Sequence, residues 1–214
     1  MNNVKNILFD LDGTIINPKE GIFNSIKHSL VQLNLPIPSD KEMEKFIGPP
    51  LIDSYSKYFN LPQEEAIKAV NFYRDFYIKK GIHQNLLYNH VKEVLQYLSR
   101  KNYQLLIATS KPTPFAIEII NHYKLDSFFI DIIGAKLDNT RKDKTEIISF
   151  ALKANNLDSN KSIMIGDTIY DIIGAKDNNL TSVGVTYGYG SKKELESINP
   201  DYIINDIKEL ITYL

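Results

Sequence analysis

Short apolar runs alternate with helical patterns along most of this chain, and this alternation limits the folds that it can adopt. The runs that we interpret as strands are Ile7–Phe9, Leu105–Thr109, Phe128–Ile133, Ile163–Ile165, Ser182–Val185 and Tyr202–Ile204. Because successive positions are apolar, rather than every second one, the runs are typical of strands that are covered on both faces. Any single run can also be a buried helix segment, so the alternation carries more weight. Strands that alternate with helices predict an α/β fold with a doubly wound parallel sheet.

One long segment interrupts the alternation. From about Pro18 to Gln84 we find helical periodicity and no convincing strand. Ile22, Ile26 and Leu30, for example, recur at the spacing of one helix face. The helix boundaries in this segment are indicated by a capping box at Ser39–Glu42, by Pro62 in a first turn and by Gly81 at a helix end. The segment therefore predicts an all-helical insert after the first strand.

The remaining patterns predict the helices of the core. They run from an N-cap at Asn89 to Arg100, from Pro112 to Tyr123, from Lys144 to Asn155, from a capping box at Ser191–Glu194, and from Ile207 to Tyr213. We therefore divide the chain into a Rossmann-like core, residues 1–16 and 86–214, and an α-helical cap, residues 17–85.

The composition excludes several classes of site and partner. The chain has no cysteine, which rules out disulfides, thiolate nucleophiles and cysteine-ligated zinc. Its formal net charge is −1, so no global field attracts a nucleic-acid polymer or a membrane surface. The longest apolar runs, such as Leu105–Ala108, are far too short to cross a bilayer, and no signal peptide is recognisable. We expect a cytoplasmic protein that binds any charged partner at a local site.

Two carboxylates follow the first predicted strand. Asp10 and Asp12 are two residues apart on an extended segment, so their side chains are expected to point the same way before Gly13 turns the chain. In open α/β sheets, ligands bind at the carboxyl ends of the strands. Taken alone, however, Asp-Leu-Asp-Gly is more often a polar turn, because Asp and Gly favour turns. Other polar residues must decide between the two interpretations.

Polar side chains also occur at later strand ends and at a helix start. Thr109 ends one predicted strand, and Asp167 follows another, with Asp171 four residues later. Lys142 and Lys144 offer a cation at the start of a helix. Each of these residues has a common structural explanation when it is taken alone, because Thr and Asp cap helices and Lys is usually solvated. Their combination at one sheet edge is what favours a site.

Taken in order, these residues resemble the motifs of the haloacid dehalogenase superfamily, in its phosphatase branch with a helical cap of the C1 type. The motif Asp10-x-Asp12-Gly13-Thr14 is highly specific and Gly166-Asp167-x-x-x-Asp171 is fairly specific, whereas Thr109 and Lys144 are informative through their position. The resemblance runs from residue 10 to residue 171, and the predicted insert falls where this family's helical cap lies. Around residues 141–144 the chain looks most like the 5′-nucleotidase-like and phosphoglycolate phosphatase-like subgroup.

The resemblance implies a role for each catalytic residue. Asp10 is the expected nucleophile and forms an aspartyl-phosphate. Asp12 is the expected general acid and base, and it must bind substrate in the protonated form, so we predict that neighbouring acids raise its pKa. Thr109, Ser110 and Lys144 are expected to bind the phosphoryl group. Because this family more often has Lys-Pro at the position of Lys144, Lys142 remains a competing candidate, and Ser110 stands where many relatives have Asn.

The resemblance also implies a Mg²⁺ site. Its ligands would be the Asp10 carboxylate, the Asp12 backbone carbonyl and Asp167, with Asp171 acting directly or through a metal-bound water. In this family the first strand lies beside the strand that carries the last motif. Because adjacent strands are about 4.8 Å apart, Asp10 and Asp167 could then share one cation.

The predicted function is Mg²⁺-dependent hydrolysis of a small phosphate monoester, which could be a nucleoside monophosphate, phosphoglycolate or a sugar phosphate. The expected partner is therefore a small phosphorylated metabolite. One alternative is a phosphosugar mutase similar to β-phosphoglucomutase, which shares the chemistry of Asp10 and Asp12. The other is a catalytically silent binding protein on the same fold. Residues 187–190 could border the substrate pocket or form a plain loop.

Overall fold

The computed structural model describes residues 3–138 and 140–214; residues 1 and 2 of the predicted core, and residue 139, lie outside the described part. Close Cα–Cα approaches divide the chain into two compact units. The first comprises residues 1–17 and 87–214, and the second comprises residues 18–86. Our assignment of the predicted ranges as catalytic core and cap stays a prediction.

The first unit is built on a parallel sheet of six strands. The strands of the chain are β1 (Asn6–Phe9), β2 (Ile16–Asn17), β3 (Leu86–Leu87), β4 (Gln104–Pro112), β5 (Phe129–Ala135), β6 (Ser162–Gly166), β7 (Thr181–Val185) and β8 (Tyr202–Ile204). The order in the large sheet is β5-β4-β1-β6-β7-β8, and β2 and β3 form a separate two-stranded sheet. The strand pairs of the large sheet are parallel in the described part of the chain, which confirms the predicted fold class.

The second unit is helical, as predicted for the insert. Its helices are α1 (Lys19–Gln32), α2 (Asp40–Met43), α3 (Leu51–Phe59) and α4 (Gln63–Lys79), with single 3₁₀ turns at Glu44–Phe46 and Gly81–His83. The capping box that begins at Ser39 is present, because Ser39 and Glu42 bond each other's backbone N–H groups. Ile22, Ile26 and Leu30 are buried along α1, as their spacing requires.

Helices of the first unit follow the strands. They are α5 (Val91–Arg100), α6 (Thr113–His122), α7 (Lys144–Ala154), α8 (Ile169–Asp177), α9 (Lys192–Ser197) and α10 (Leu210–Tyr213), with 3₁₀ turns at Asp126–Phe128, Ser159–Lys161 and Ile207–Glu209. Residues on both sides of β1 are buried, including Ile7 and Leu8, because α helices and loops cover both faces of the sheet. Among the described residues, none of the helices has the length and hydrophobicity of a membrane-spanning segment.

Two local predictions differ from the structure. The N-cap of α5 is His90, with φ +62°, rather than Asn89, and the helix begins at Val91 without a side-chain cap. The sequence analysis also did not predict α8, although Thr168 and Asp171 form a capping box at its start. The resemblance assigned Asp171 to the site, and its carboxylate also serves the start of this helix.

Candidate active site

The central strand β1 places Asp10 between two neighbouring strands. Phe9 is in register with Ile107 of β4 on one side and with Ile165 of β6 on the other. The backbone N–H of Asp10 donates to the carbonyl oxygen of Ile165 at 2.8 Å. Because the three strands are parallel, the residues that follow them lie at the same edge of the sheet. This confirms that the first strand lies beside the strand of the last motif.

Asp10, Asp167 and Asp171 form an acid cluster at this edge. Each offers one carboxylate oxygen, and these oxygens all lie within 4.8 Å of one another. Gly166 allows this approach, because a Cβ at that position would lie 2.1 Å from Cγ of Asp171. Burial, together with the charges of Asp171 and Asp10, raises the pKa of Asp167 well above its ordinary value. Burial also raises the pKa of Asp171.

Lys144, the first residue of α7, supplies a positive charge to the cluster. Its Nζ lies 2.8 Å from Oδ1 of Asp10 and 2.8 Å from Oδ1 of Asp171, and it donates to the carbonyl oxygen of Ala108 at 3.2 Å. Burial alone would lower the pKa of Lys144, but the two carboxylates outweigh it and raise the pKa. Lys142, the competing candidate, is exposed. Lys144 is therefore the lysine that the structure brings to the acids.

The acid cluster has the donors that a hard divalent cation requires. Mg²⁺ prefers oxygen ligands, and the cluster supplies three carboxylates. Oδ1 of Asp167 is buried without a hydrogen-bond partner in the described part of the chain. Asp171 is more engaged, because its Oδ2 accepts hydrogen bonds from the backbone N–H and the hydroxyl of Thr168 at 3.0 and 2.8 Å. These groups suggest a metal site to which Asp167 can offer its Oδ1.

Asp12 lies outside the acid cluster and is paired with a lysine. Its Oδ2 lies 2.6 Å from Nζ of Lys111, and both side chains are largely buried. The other oxygen, Oδ1, is buried without a hydrogen-bond partner among the described residues. Burial raises the pKa of Asp12, Lys111 partly offsets that effect, and Asp10 adds to it. The predicted direction is confirmed, but the main cause is loss of hydration rather than the neighbouring acid.

Strand β4 carries the predicted phosphate-binding residues. Thr109 is 1% exposed, and its Oγ1 accepts a hydrogen bond from the backbone N–H of Lys111 at 3.2 Å. Ser110 is half-buried. Because β4 is the immediate neighbour of β1, Thr109 lies on the strand beside Asp10. The structure therefore brings this hydroxyl to the predicted sheet edge, and its role in binding phosphate stays a prediction.

Residues 7–185 match the family described as haloacid dehalogenase-like hydrolase. The chain belongs to this family. In this haloacid dehalogenase-like hydrolase, one edge of the sheet holds the acid cluster together with Lys144 and Thr109.

Three similar proteins illustrate the range of this family. A 5′-nucleotidase from Pseudomonas aeruginosa is 38% identical over 205 residues, which cover 96% of this chain and 93% of that protein. A phosphoglycolate phosphatase from Vibrio parahaemolyticus is 26% identical over 217 residues, which cover 98% of this chain and 95% of that one. The crystal structure of a predicted phosphatase from Clostridium acetobutylicum has a TM-score of 0.93 and 41% identity, and covers 99% of this chain and 100% of that one.

Two contacts of this haloacid dehalogenase-like hydrolase were missed by the sequence analysis. Lys111 pairs with Asp12, and the backbone N–H of Tyr189 donates to Oδ2 of Asp167 at 2.7 Å. Lys111 had a usable signal, because it lies two residues after Thr109, which was already assigned to the site. Residues 187–190 had been considered as a border of the substrate pocket, but the bond to Asp167 was not predictable, since a backbone N–H is the same for every residue type except proline.

Proposed function

We propose that this chain hydrolyses small phosphate monoesters with the help of Mg²⁺, through an aspartyl-phosphate on Asp10. The observation that carries the proposal is the difference in access within the acid cluster. Asp10 is 7% exposed, whereas Asp167 is 1% and Asp171 is 0% exposed. A nucleophile must reach its substrate, while a metal ligand can remain buried. Of the three acids, Asp10 is therefore the one suited to attack the phosphorus of a substrate.

In the proposed first step, a carboxylate oxygen of Asp10 attacks phosphorus and the ester P–O bond breaks. Protonated Asp12 gives its proton to the leaving oxygen, and the product alcohol departs. The raised pKa of Asp12 supports this role, because it favours the protonated form that a general acid needs. The phosphoryl group is then bound covalently to Asp10, so that one difficult hydrolysis is divided into two easier steps.

In the second step, water attacks the phosphorus of the aspartyl-phosphate. Asp12, now ionised, accepts a proton from that water, and inorganic phosphate leaves as the carboxylate of Asp10 is restored. Lys111 supports this step, because its ammonium group 2.6 Å from Oδ2 stabilises the ionised form of Asp12. General acid–base catalysis of this kind typically contributes about 10²–10⁴-fold.

The charge of the phosphoryl group must be balanced during both steps. Lys144 is suited to this role, because burial and two carboxylates hold its ammonium group in place. We propose that it neutralises a phosphoryl oxygen, and that Thr109 and Ser110 bind others through the Thr109 hydroxyl and the Ser110 backbone N–H. Phosphoryl transfer depends mainly on such positioning and charge stabilisation.

Mg²⁺ would be held by the Asp10 carboxylate, the Asp12 backbone carbonyl and Asp167, with Asp171 acting directly or through a bound water. When bound, the cation offsets the repulsion between Asp10 and an anionic substrate. The unpaired Oδ1 of Asp167 supports this assignment, because a buried carboxylate oxygen without a donor is costly unless a cation or proton compensates it.

We further propose that residues 17–85 act as a cap for a catalytic core formed by residues 1–16 and 86–214, which favours small substrates. Nucleoside monophosphates are the first class to test, because a 5′-nucleotidase is 38% identical to this chain. Phosphoglycolate is the second, because a phosphoglycolate phosphatase is 26% identical. Sugar phosphates are the third. The cytoplasmic location expected from the sequence stays a prediction.

The proposal is tested by a phosphate-release screen over these three substrate classes, with Mg²⁺ and then with EDTA. Asp10→Asn is the negative control, and Asp53→Asn, which changes an exposed acid of the helical unit, is its matched control. We expect Mg²⁺-dependent release by the wild type and by Asp53→Asn only. An isomerised sugar phosphate without free phosphate would favour the mutase alternative. No turnover on the whole panel would favour a silent binding protein.

A further inference from the structure

The two carboxylate oxygens of Asp167 are held unequally. Oδ2 accepts a hydrogen bond from the backbone N–H of Tyr189 at 2.7 Å. Oδ1 is buried and has no hydrogen-bond partner among the residues that the structure describes. The side chain is therefore fixed at one oxygen and leaves the other unsatisfied.

The segment that fixes Asp167 is the Tyr187–Gly190 loop, residues 187–190, which follows β7. A Cβ at Gly188 would lie 2.3 Å from both Cβ and Oδ2 of Asp167, and a Cβ at Gly190 would lie 1.9 Å from the Asp167 carbonyl oxygen. Both distances are far below a van der Waals contact, so any side chain at these positions would push the loop away. The glycines thus allow the backbone to lie directly against Asp167.

The tyrosines of the same loop anchor it to the segment that follows Asp12. The hydroxyl of Tyr187 donates to the carbonyl oxygen of Thr14 at 3.0 Å, and the hydroxyl of Tyr189 donates to Oδ1 of Asn17. The ring of Tyr187 also packs on Tyr88, with 4.8 Å between centroids. The loop is therefore held at both tyrosines while its backbone contacts Asp167.

We infer that the Tyr187–Gly190 loop is a positioning element of the metal site, which holds Asp167 through Oδ2 so that Oδ1 is presented to a divalent cation. The inference rests on the proposed function, because it requires that the acid cluster binds such a cation. Without the Tyr189 N–H, the carboxylate could rotate about its Cβ–Cγ bond and present either oxygen. Loss of a hydrogen bond that orients a metal ligand typically weakens metal binding about 10–100-fold.

The test is a titration of the metal-free full chain with Mn²⁺, in which electron paramagnetic resonance measures the unbound ion and no substrate is present. Gly188→Ala should raise the dissociation constant about 10–100-fold and leave the number of sites unchanged. The matched control is Gly184→Ala in β7, where the added Cβ would meet Leu195 at an ordinary 3.4 Å. A partly unfolded variant would bind fewer Mn²⁺ ions per chain with an unchanged dissociation constant. The titration therefore separates loss of folding from loss of affinity.

Tyr187→Phe provides a second variant, because it removes only the hydroxyl that anchors the loop. It should weaken Mn²⁺ binding about 3–10-fold, in line with the loss of one hydrogen bond. A folded Gly188→Ala protein with wild-type affinity would overturn the inference. Gly188→Ala could fail to fold, which the absence of a cooperative unfolding transition would show. In that case, unchanged Mn²⁺ affinity in Tyr187→Phe would overturn the inference. Failure of the wild type to bind Mn²⁺ would reject the proposed metal site itself.

Discussion

Lys111 and Asp12 form a buried ion pair, with Nζ 2.6 Å from Oδ2. Burial raises the pKa of Asp12, and the ammonium group of Lys111 works against that increase. Burial and Lys111 therefore have opposite effects on the pKa of Asp12. The proposed mechanism needs both forms of this group, the protonated form in the first step and the ionised form in the second.

Lys111→Met should move the alkaline limb of the kcat/KM profile to higher pH. Removal of the ammonium group takes away an interaction that lowers the pKa of Asp12, so the carboxyl group stays protonated at a higher pH. Hydrolysis of the aspartyl-phosphate should slow at the same time, because the base is less ionised. A pH–rate profile for both proteins measures the shift, and Lys136→Met, at an exposed position, is the control. An unchanged alkaline limb would show that Lys111 does not affect the protonation of Asp12.

Asp10→Asn should reduce turnover by more than about 10³-fold, because an amide oxygen is a poor nucleophile. The fold should persist, since the replacement has nearly the same size. Steady-state phosphate release measures the loss, and circular dichroism checks the fold. Activity close to that of the wild type would exclude Asp10 as the nucleophile.

Asp12→Ala should slow the hydrolysis of alkyl phosphates about 10²–10⁴-fold. The loss should be much smaller for an activated aryl phosphate, because a phenolate with a low pKa leaves without a proton. The comparison uses kcat/KM for one sugar phosphate and for p-nitrophenyl phosphate. Equal losses on the two substrates would contradict a role as general acid.

Lys144→Met should destabilise the metal-free protein by about 3–5 kcal/mol, because it leaves two buried carboxylates, Asp10 and Asp171, without their cation. Urea denaturation in EDTA measures the free energy of unfolding. Lys142→Met is the matched control, and it should change stability little because Lys142 is exposed. The same pair of variants tests which lysine binds phosphate, since only Lys144→Met should raise KM.

Stabilisation by Mg²⁺ should increase with pH. Burial and neighbouring acids raise the pKa of Asp167, so the folded metal-free protein retains a proton that the unfolded chain has already released. Its stability from this group is therefore lost as the pH rises through the raised pKa. Because Mg²⁺ competes with that proton, the increase in Tm with Mg²⁺ should be larger at about pH 8 than at about pH 5.5. An increase that is equal at both values, measured by differential scanning fluorimetry, would argue against a carboxylate site.

Much of the fold was predictable because its signals are local. The strands of the large sheet could be recognised from short apolar runs, since a strand buried on both faces needs apolar residues at successive positions. Helix starts such as Ser39 and Ser191 were predictable for the same reason, because a capping box lies within four residues. The N-cap of α5 was not, because His90 adopts φ +62° there without a side-chain cap.

The sequence by itself determined the α/β fold, the helical insert and the acids at the sheet edge, because each depends on neighbouring residues and on the common direction of parallel strands. The tertiary structure alone decided which groups control those acids. Lys111 pairs with Asp12 across 99 positions of the chain, and Tyr189 reaches Asp167 across 22. The second contact uses a backbone N–H, which nearly every residue possesses, so only the path of the folded chain could select it.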